Sequence, residues 1–138
     1  NKSIYELLKR KDTNKNIFVI THHPLIKTTN LNGIIDQLIV NKVKLFISGH
    51  FHKNTTNTYY YDQKRKISNI FGGTFACDPK YLNPGIPYQY NILNYYPERK
   101  KIIVQTRKKE SKEGTWYADS QWGDRNNPIP HYIIDLTI

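Results

Sequence analysis

The 138-residue sequence contains no methionine, one cysteine and no long apolar run. Because Cys77 is alone, no disulfide can form within the chain, which excludes a disulfide-rich secreted scaffold and favours a cytoplasmic protein. The longest apolar stretches, residues 17–20 and 45–47, are far too short for a membrane-spanning helix. The polar residues 1–3 do not resemble a signal peptide. We therefore expect no membrane partner.

The lack of methionine also means that the chain does not begin at an initiator residue. It opens instead with Ile4, Leu7 and Leu8 at helical spacing behind Ser3, which predicts a helix at the very start. We therefore expect these residues to be one piece of a longer protein.

Acidic residues are scarce: 11 Asp and Glu stand against 21 Lys and Arg, for a net charge of +10. Such an excess suggests nucleic acid as one possible partner. However, the cations are spread along the whole chain, which is also typical of an ordinary solvated surface. A basic rim that attracts phosphate-bearing substrates needs much less charge. These interpretations remain open on the charge alone.

Helix and strand patterns alternate in the first third of the chain. Residues 17–20 are a continuous apolar run, which predicts a strand buried on both faces, and residues 43–47 predict a second, largely apolar strand. Four apolar residues between 34 and 39 recur with helical period, and Asn30 or Asn32 is a suitable N-cap. A strand, a helix and a strand in this order predict two adjacent parallel strands.

The remainder of the chain carries the patterns of antiparallel strands. Two hairpins and a final short strand are predicted, at residues 56–61 with 66–71, 88–94 with 102–106, and 132–136. The predicted fold class is therefore α/β, with a parallel βαβ start followed by antiparallel β hairpins.

Four of the five histidines directly follow the two predicted parallel strands. They lie in Thr-His-His-Pro at residues 21–24 and in Ser-Gly-His-Phe-His at residues 48–52. The carboxyl ends of adjacent parallel strands meet at one edge of a sheet, which is where ligands gather. Neutral imidazole is a good ligand for Zn, Mn or Fe. Either motif alone is ordinary loop composition, but the two at successive strand ends predict a metal site.

An apolar strand ending in T-H-H-P, then a helix, then an apolar strand ending in S-G-H-x-H resembles the last two metal-binding motifs of the calcineurin-like metallophosphoesterases. The resemblance covers about residues 3–107. It implies an αββα sandwich in which two β-sheets lie between helices. It also implies a centre of two divalent metal ions (Mn, Zn, Fe or similar) that hydrolyses phosphomonoesters or phosphodiesters.

The resemblance also implies roles for individual residues. His22 and His50 would bind one metal, and His52 would bind the other. His23 and Gly49 would support these ligands without binding a metal themselves. No substrate-binding residue is predicted.

Three earlier motifs of that family, D-x-H, G-D-x-x-D and G-N-H-[DE], are absent. They would supply the carboxylate ligands and the histidine that protonates the leaving group. We therefore expect residues 1–138 to be the C-terminal portion of a single domain, inactive without an N-terminal half. Within it, residues 1–52 would carry the ligand motifs, and residues 53–138 would form the second sheet and the tail.

Two other functions remain open. A metallophosphoesterase-like domain that has lost catalysis could serve as an interaction unit. Alternatively, the chain could be a nucleic-acid-binding module in which the histidines are incidental and the tail aromatics Trp116, Tyr117 and Trp122 stack on bases. The competing interpretation of these aromatics is that they cover the edge of a sheet.

Overall fold

The computed structural model describes Glu6 and residues 15–24, 31–50, 53 and 55–137. These residues divide into two compact units, one within 1–48 and 56–70 and the other within 49–55 and 71–137. Of the helix expected at the start of the chain, Glu6 alone lies within the described residues, and it is helical. None of the helices in the described ranges has the length and apolar character that a bilayer crossing requires.

The described secondary structure comprises one α-helix and ten β-strands. In chain order these are β1 (Ile17–Thr21), α1 (Leu31–Val40), β2 (Val43–Ser48), β3 (Thr55–Tyr60), β4 (Lys66–Phe71), β5 (Tyr88–Tyr96), β6 (Lys101–Lys109), β7 (Tyr117–Ala118), β8 (Trp122–Asp124), β9 (Asn127–Ile129) and β10 (His131–Asp135), with a 3₁₀ turn at Pro79–Tyr81. The α/β class, with a parallel pair followed by antiparallel strands, is therefore confirmed.

The first unit is built on a sheet with the strand order β1-β2-β4-β3. Strands β1 and β2 are parallel, and their register ends with Thr21 opposite Ser48. The parallel pair joined by a helix is thus as predicted. Strands β3 and β4 extend this same sheet. The second sheet therefore begins only at β5, later than the predicted boundary at residue 53.

Helix α1 contributes an apolar stripe to the core of the first unit. Its buried residues Ile35, Leu38 and Ile39 cluster with Val43, Phe46 and Ile67. The helix ends where Lys42 adopts a left-handed conformation, with φ of 62°, and its N–H donates to the carbonyl of Ile39. This is a common way to terminate a helix. Asn32 lies inside α1 rather than at its cap, and Asn30 lies outside the described residues.

The prediction that residues 17–20 are buried on both faces is wrong. The side chain of Ile20 is 74% exposed, whereas β2 has no exposed residue. Within the described part of the chain, β1 pairs with β2 alone and so lies at an edge of the sheet. An apolar run predicts a strand, but it does not show whether that strand lies at the centre or at the edge of a sheet.

The β3–β4 hairpin closes through the carboxylate of Asp62. Its Oδ1 accepts hydrogen bonds from the backbone N–H groups of Lys64 and Arg65, at 2.8 and 2.7 Å, and its Oδ2 accepts one from Arg65 Nε at 2.7 Å. The backbone donors, with Arg65 first among them, lower the pKa of Asp62 to about 2. The hairpin predicted around this polar turn is therefore confirmed.

The second unit contains an antiparallel sheet with the order β10-β6-β5, and β7 also pairs with β6. Alternate residues of β6, namely Ile102, Val104 and Thr106, are almost fully buried. The second predicted hairpin and the final strand are present. Short strands β7, β8 and β9 were not predicted, because two or three residues are too few to show a period.

Replacing Leu38 with alanine should destabilise the first unit. Leu38 is fully buried against β2 and β4 residues of the core. We expect Leu38→Ala to lower the free energy of unfolding by about 2–5 kcal/mol, measured by urea denaturation. Val40 on the same helix is 49% exposed, and Val40→Ala should change it by about 0.5 kcal/mol or less. Similar losses in both variants would contradict this packing.

Acid should weaken the β3–β4 turn over a defined pH window. Because the folded-state pKa of Asp62 is about 2, below the ordinary value of 3.8, its carboxylate contributes stability above about pH 4. That contribution is lost as the pH falls towards 2. We expect Asp62→Ala to remove this part of the acid dependence. An NMR titration of the Asp62 carboxyl carbon checks the pKa, and a midpoint near 4 would contradict it.

Candidate metal-binding site

The two histidine motifs leave the first sheet at the same edge. His22 and His23 directly follow Thr21, the last residue of β1, and His50 is the second residue after Ser48, the last residue of β2. Because Thr21 and Ser48 are register partners in a parallel pair, both loops start from the same level of the sheet.

The side chains of His22, His23 and His50 come together at this edge. Each offers one ring nitrogen, and the three nitrogens lie within 4.8 Å of one another. The rings of His22 and His23 meet edge to face, with centroids 4.7 Å apart and an interplanar angle of 86°. All three residues are exposed to solvent, so a ligand in solution can reach them.

The loop after β1 is held by a local hydrogen bond and by burial. Thr21 Oγ1 donates to the carbonyl oxygen of His23 at 2.7 Å, which folds the loop back on the strand end. Pro24 is buried, and its ring fixes its own φ. His22 and His23 therefore project from a loop that is anchored at both ends.

The donor set fits a divalent metal ion. Two imidazole nitrogens on one tetrahedral zinc ion lie roughly 3.3 Å apart, from a Zn–N distance of about 2.05 Å. The nitrogens here lie within 4.8 Å, so a small rotation of exposed rings brings them to that distance. Among the described residues the group contains no carboxylate. Three protein ligands leave a position open on the ion, as in catalytic sites.

His50 has an unusual backbone conformation, with φ of 75°. A positive φ brings the Cβ of an L-residue too close to its own backbone, and glycine is the residue that normally occupies this region. A residue held in this conformation at a loop end is a common feature of functional sites.

Three of the predicted site residues lie together in the cluster. His22 and His50, predicted ligands, lie in the cluster, and so does His23, which was expected only to support them. Gly49 is half-buried between Ser48 and His50. His52 lies outside the described residues.

Two buried polar side chains in this sheet gave no signal in the sequence. Ser48 is 2% exposed and Asn69, in β4, is fully buried. The Ser48 hydroxyl and both amide atoms of Asn69 have no hydrogen-bond partner among the described residues. A buried polar group without a partner is costly. Ser48 directly precedes Gly49 and His50, so one of these costly groups lies next to the cluster.

Comparison of the chain with models of known protein families and with curated proteins finds no match. The site therefore has to be interpreted from its own chemistry.

Replacing His50 with glycine should cost less stability than replacing it with alanine. Because φ is 75° there, we expect His50→Gly to have a free energy of unfolding about 1 kcal/mol higher than His50→Ala. His22, which is not among the described residues with positive φ, provides the control. There the order should reverse, with alanine the more stable. Thermal denaturation of the four variants measures both differences, and the same order at both positions would contradict strain at His50.

Proposed function

We propose that this chain carries the histidine ligands of a metal-dependent hydrolase for phosphate esters. The observation that supports the proposal best is the convergence of His22, His23 and His50 at the ends of two parallel strands. The order of the two motifs, which resembles that of the calcineurin-like metallophosphoesterases, supports the same reaction class. The αββα sandwich and the second metal ion are parts of this proposal.

Imidazole ligands suit this reaction because they are neutral. Three such ligands leave the charge of a divalent ion uncompensated, which favours an anionic phosphate as a further ligand. A bound ion would stabilise charge on the phosphoryl oxygens and lower the pKa of the attacking water. In this scheme the histidines bind and orient the metal ion, and they do not transfer a proton.

The surroundings of the site suit an anionic substrate. The three rings are exposed, so a phosphate group does not have to cross a barrier of packed side chains. The net charge of +10 adds a long-range attraction for phosphate esters.

The proposal assigns the remaining ligands to other residues. His52 would bind the second ion, and the carboxylates that are absent from the cluster would come from outside the described residues. A domain that binds metal but has lost catalysis is the second candidate. The active enzyme and the inactive domain would bind metal equally well, but only the enzyme would hydrolyse phosphate esters. Metal affinity and hydrolysis therefore both have to be measured.

Metal binding by the chain is the first test. We expect cobalt(II), followed by its visible absorption, to bind with an affinity that falls about tenfold or more in His22→Ala and in His50→Ala, because each removes one of three donors. His131→Ala is the matched control, since His131 lies in β10 and outside the cluster. Equal affinity in all four proteins would refute the ligand assignment.

Hydrolysis is the second test, made on the protein as it occurs in the cell, with whatever segments accompany these residues. We expect it to hydrolyse p-nitrophenyl phosphate or bis(p-nitrophenyl) phosphate only with Mn²⁺ or a similar ion. His50→Ala should abolish that activity and His131→Ala should leave it unchanged. Metal binding without hydrolysis would favour the interaction domain, and hydrolysis that survives His50→Ala would contradict the proposal.

A further inference from the structure

The second sheet has one buried face and one partly exposed face. In β6, residues 102, 104 and 106 point to the buried side. The intervening residues share the other face with their partners on β5 and β10. We call this the basic–aromatic face. It comprises Tyr88, which is buried, and Tyr90, Ile92, Asn94, Tyr96, Lys101, Ile103, Gln105, Arg107, Lys109, His131, Ile133 and Asp135. Trp116 and Phe75, which contact Tyr90, belong to it as well.

Phe75 presents an aromatic ring to solvent on this face. Its ring is stacked on Trp116, with centroids 5.2 Å apart and an interplanar angle of 13°. One side of the Phe75 ring is therefore covered, yet the residue is 61% exposed. Most of the residue is therefore open to solvent beside the contact with Trp116. Its exposed surface can accept another flat ring.

The stacked pair of Phe75 and Trp116 is held in place by neighbouring residues of the sheet. Tyr90 meets Trp116 edge to face at 4.7 Å and Phe75 at 5.6 Å. Arg107 Nη2 donates to the carbonyl oxygen of Trp116 at 3.2 Å. Next to Phe75, the carbonyl of Thr74 accepts from the N–H of Gln89 at 2.9 Å. A platform fixed in this way loses little conformational freedom when a ligand stacks on it.

Cations lie among these rings. Lys109 Nζ is 5.0 Å from the ring centroid of Trp116 and 5.3 Å from that of Tyr88. Lys101 Nζ is 5.8 Å from the centroid of Tyr96. With Arg107, three of the five residues that β6 places on this face are cationic. They extend over about 27 Å, at roughly 3.4 Å per residue, which is long enough to follow several nucleotides.

We propose that the basic–aromatic face binds single-stranded nucleic acid, with a base stacked on Phe75 and phosphates held by Lys101, Arg107 and Lys109. Every base offers a flat π surface, and cations along a strand suit a chain of phosphates. One acidic residue, Asp135, lies on the same face against three cations, so the charge favours an anionic partner. This binding is independent of the metal site and of its activity.

The central test is fluorescence anisotropy with labelled oligo-dA and oligo-rA of about twelve nucleotides, a length within the range covered by single-strand binders. We expect Phe75→Ala to weaken binding of both about tenfold, within the range for stacking of one base on an aromatic ring. Phe75→Trp should restore it and Phe75→Leu should not. The leucine variant keeps the apolar surface but loses the ring, so it separates stacking from general hydrophobic contact.

Salt dependence tests the cations. We expect Lys109→Gln and Lys101→Gln each to reduce the slope of log affinity against log salt by about 0.7, the value for one phosphate contact in a single strand. Matched controls come from the first sheet and its hairpin. Tyr60, which is 68% exposed, and the exposed Lys64 should be replaceable by alanine and glutamine without effect on affinity or slope. Circular dichroism verifies that every variant is folded.

Three outcomes would overturn the proposal. The first is binding by Phe75→Leu that equals the wild type. The second is a loss in Tyr60→Ala as large as that in Phe75→Ala. The third is a dimer in light scattering that Ile133→Asp dissociates, since Ile133 is 57% exposed on the same face; the face would then be an interface between two copies of the chain. Loss of metal binding in His50→Ala, by contrast, would leave nucleic-acid affinity unchanged.

Discussion

The parallel pairing of β1 with β2 is the constraint on which the candidate site depends. Thr21 and Ser48 are partners at the carboxyl ends of these strands, so the residues that follow each strand start from one level. A shift of the register by one residue would displace one motif by roughly 3.4 Å and turn its side chains to the other face. The apolar residues that α1 packs against β2 and β4 therefore determine whether three imidazoles can meet.

The backbone and the buried polar groups at this edge of the sheet depart from the rules that the core follows. The core below it follows ordinary rules, with Leu38 and Leu45 fully buried. Above it, His50 occupies a backbone conformation that suits glycine, and the hydroxyl of Ser48 is buried without a partner among the described residues. Local rules are usually broken where function requires it, and the rest of the fold compensates. The two irregularities lie two residues apart, beside the cluster.

The sequence predicts those parts of the structure that repeat with a clear period. The βαβ start, both hairpins and the proximity of His22 to His50 follow from apolar runs, helical spacing and the topology of parallel strands. The sequence does not show which strands become neighbours. For that reason Ile20 was predicted to be buried, and β3 and β4 were predicted to lie in the second sheet. It also missed Phe75, because a single aromatic residue in a loop has no periodic context and acquires meaning only when Trp116 lies parallel to it.

Both proposals concern phosphate, but they recognise it by opposite means. The histidine cluster carries no charge of its own when its rings are neutral, so a bound ion would supply the local attraction for an anion, at a single point. The basic–aromatic face carries permanent charge on Lys101, Arg107 and Lys109, which acts along the strand and is screened by salt. A single phosphoryl group suits the first arrangement, whereas a polymer with a base beside each phosphate suits the second. The excess of 21 basic over 11 acidic residues therefore need not serve one purpose, since it would add a long-range attraction at the proposed metal site and direct phosphate contacts on the proposed sheet face.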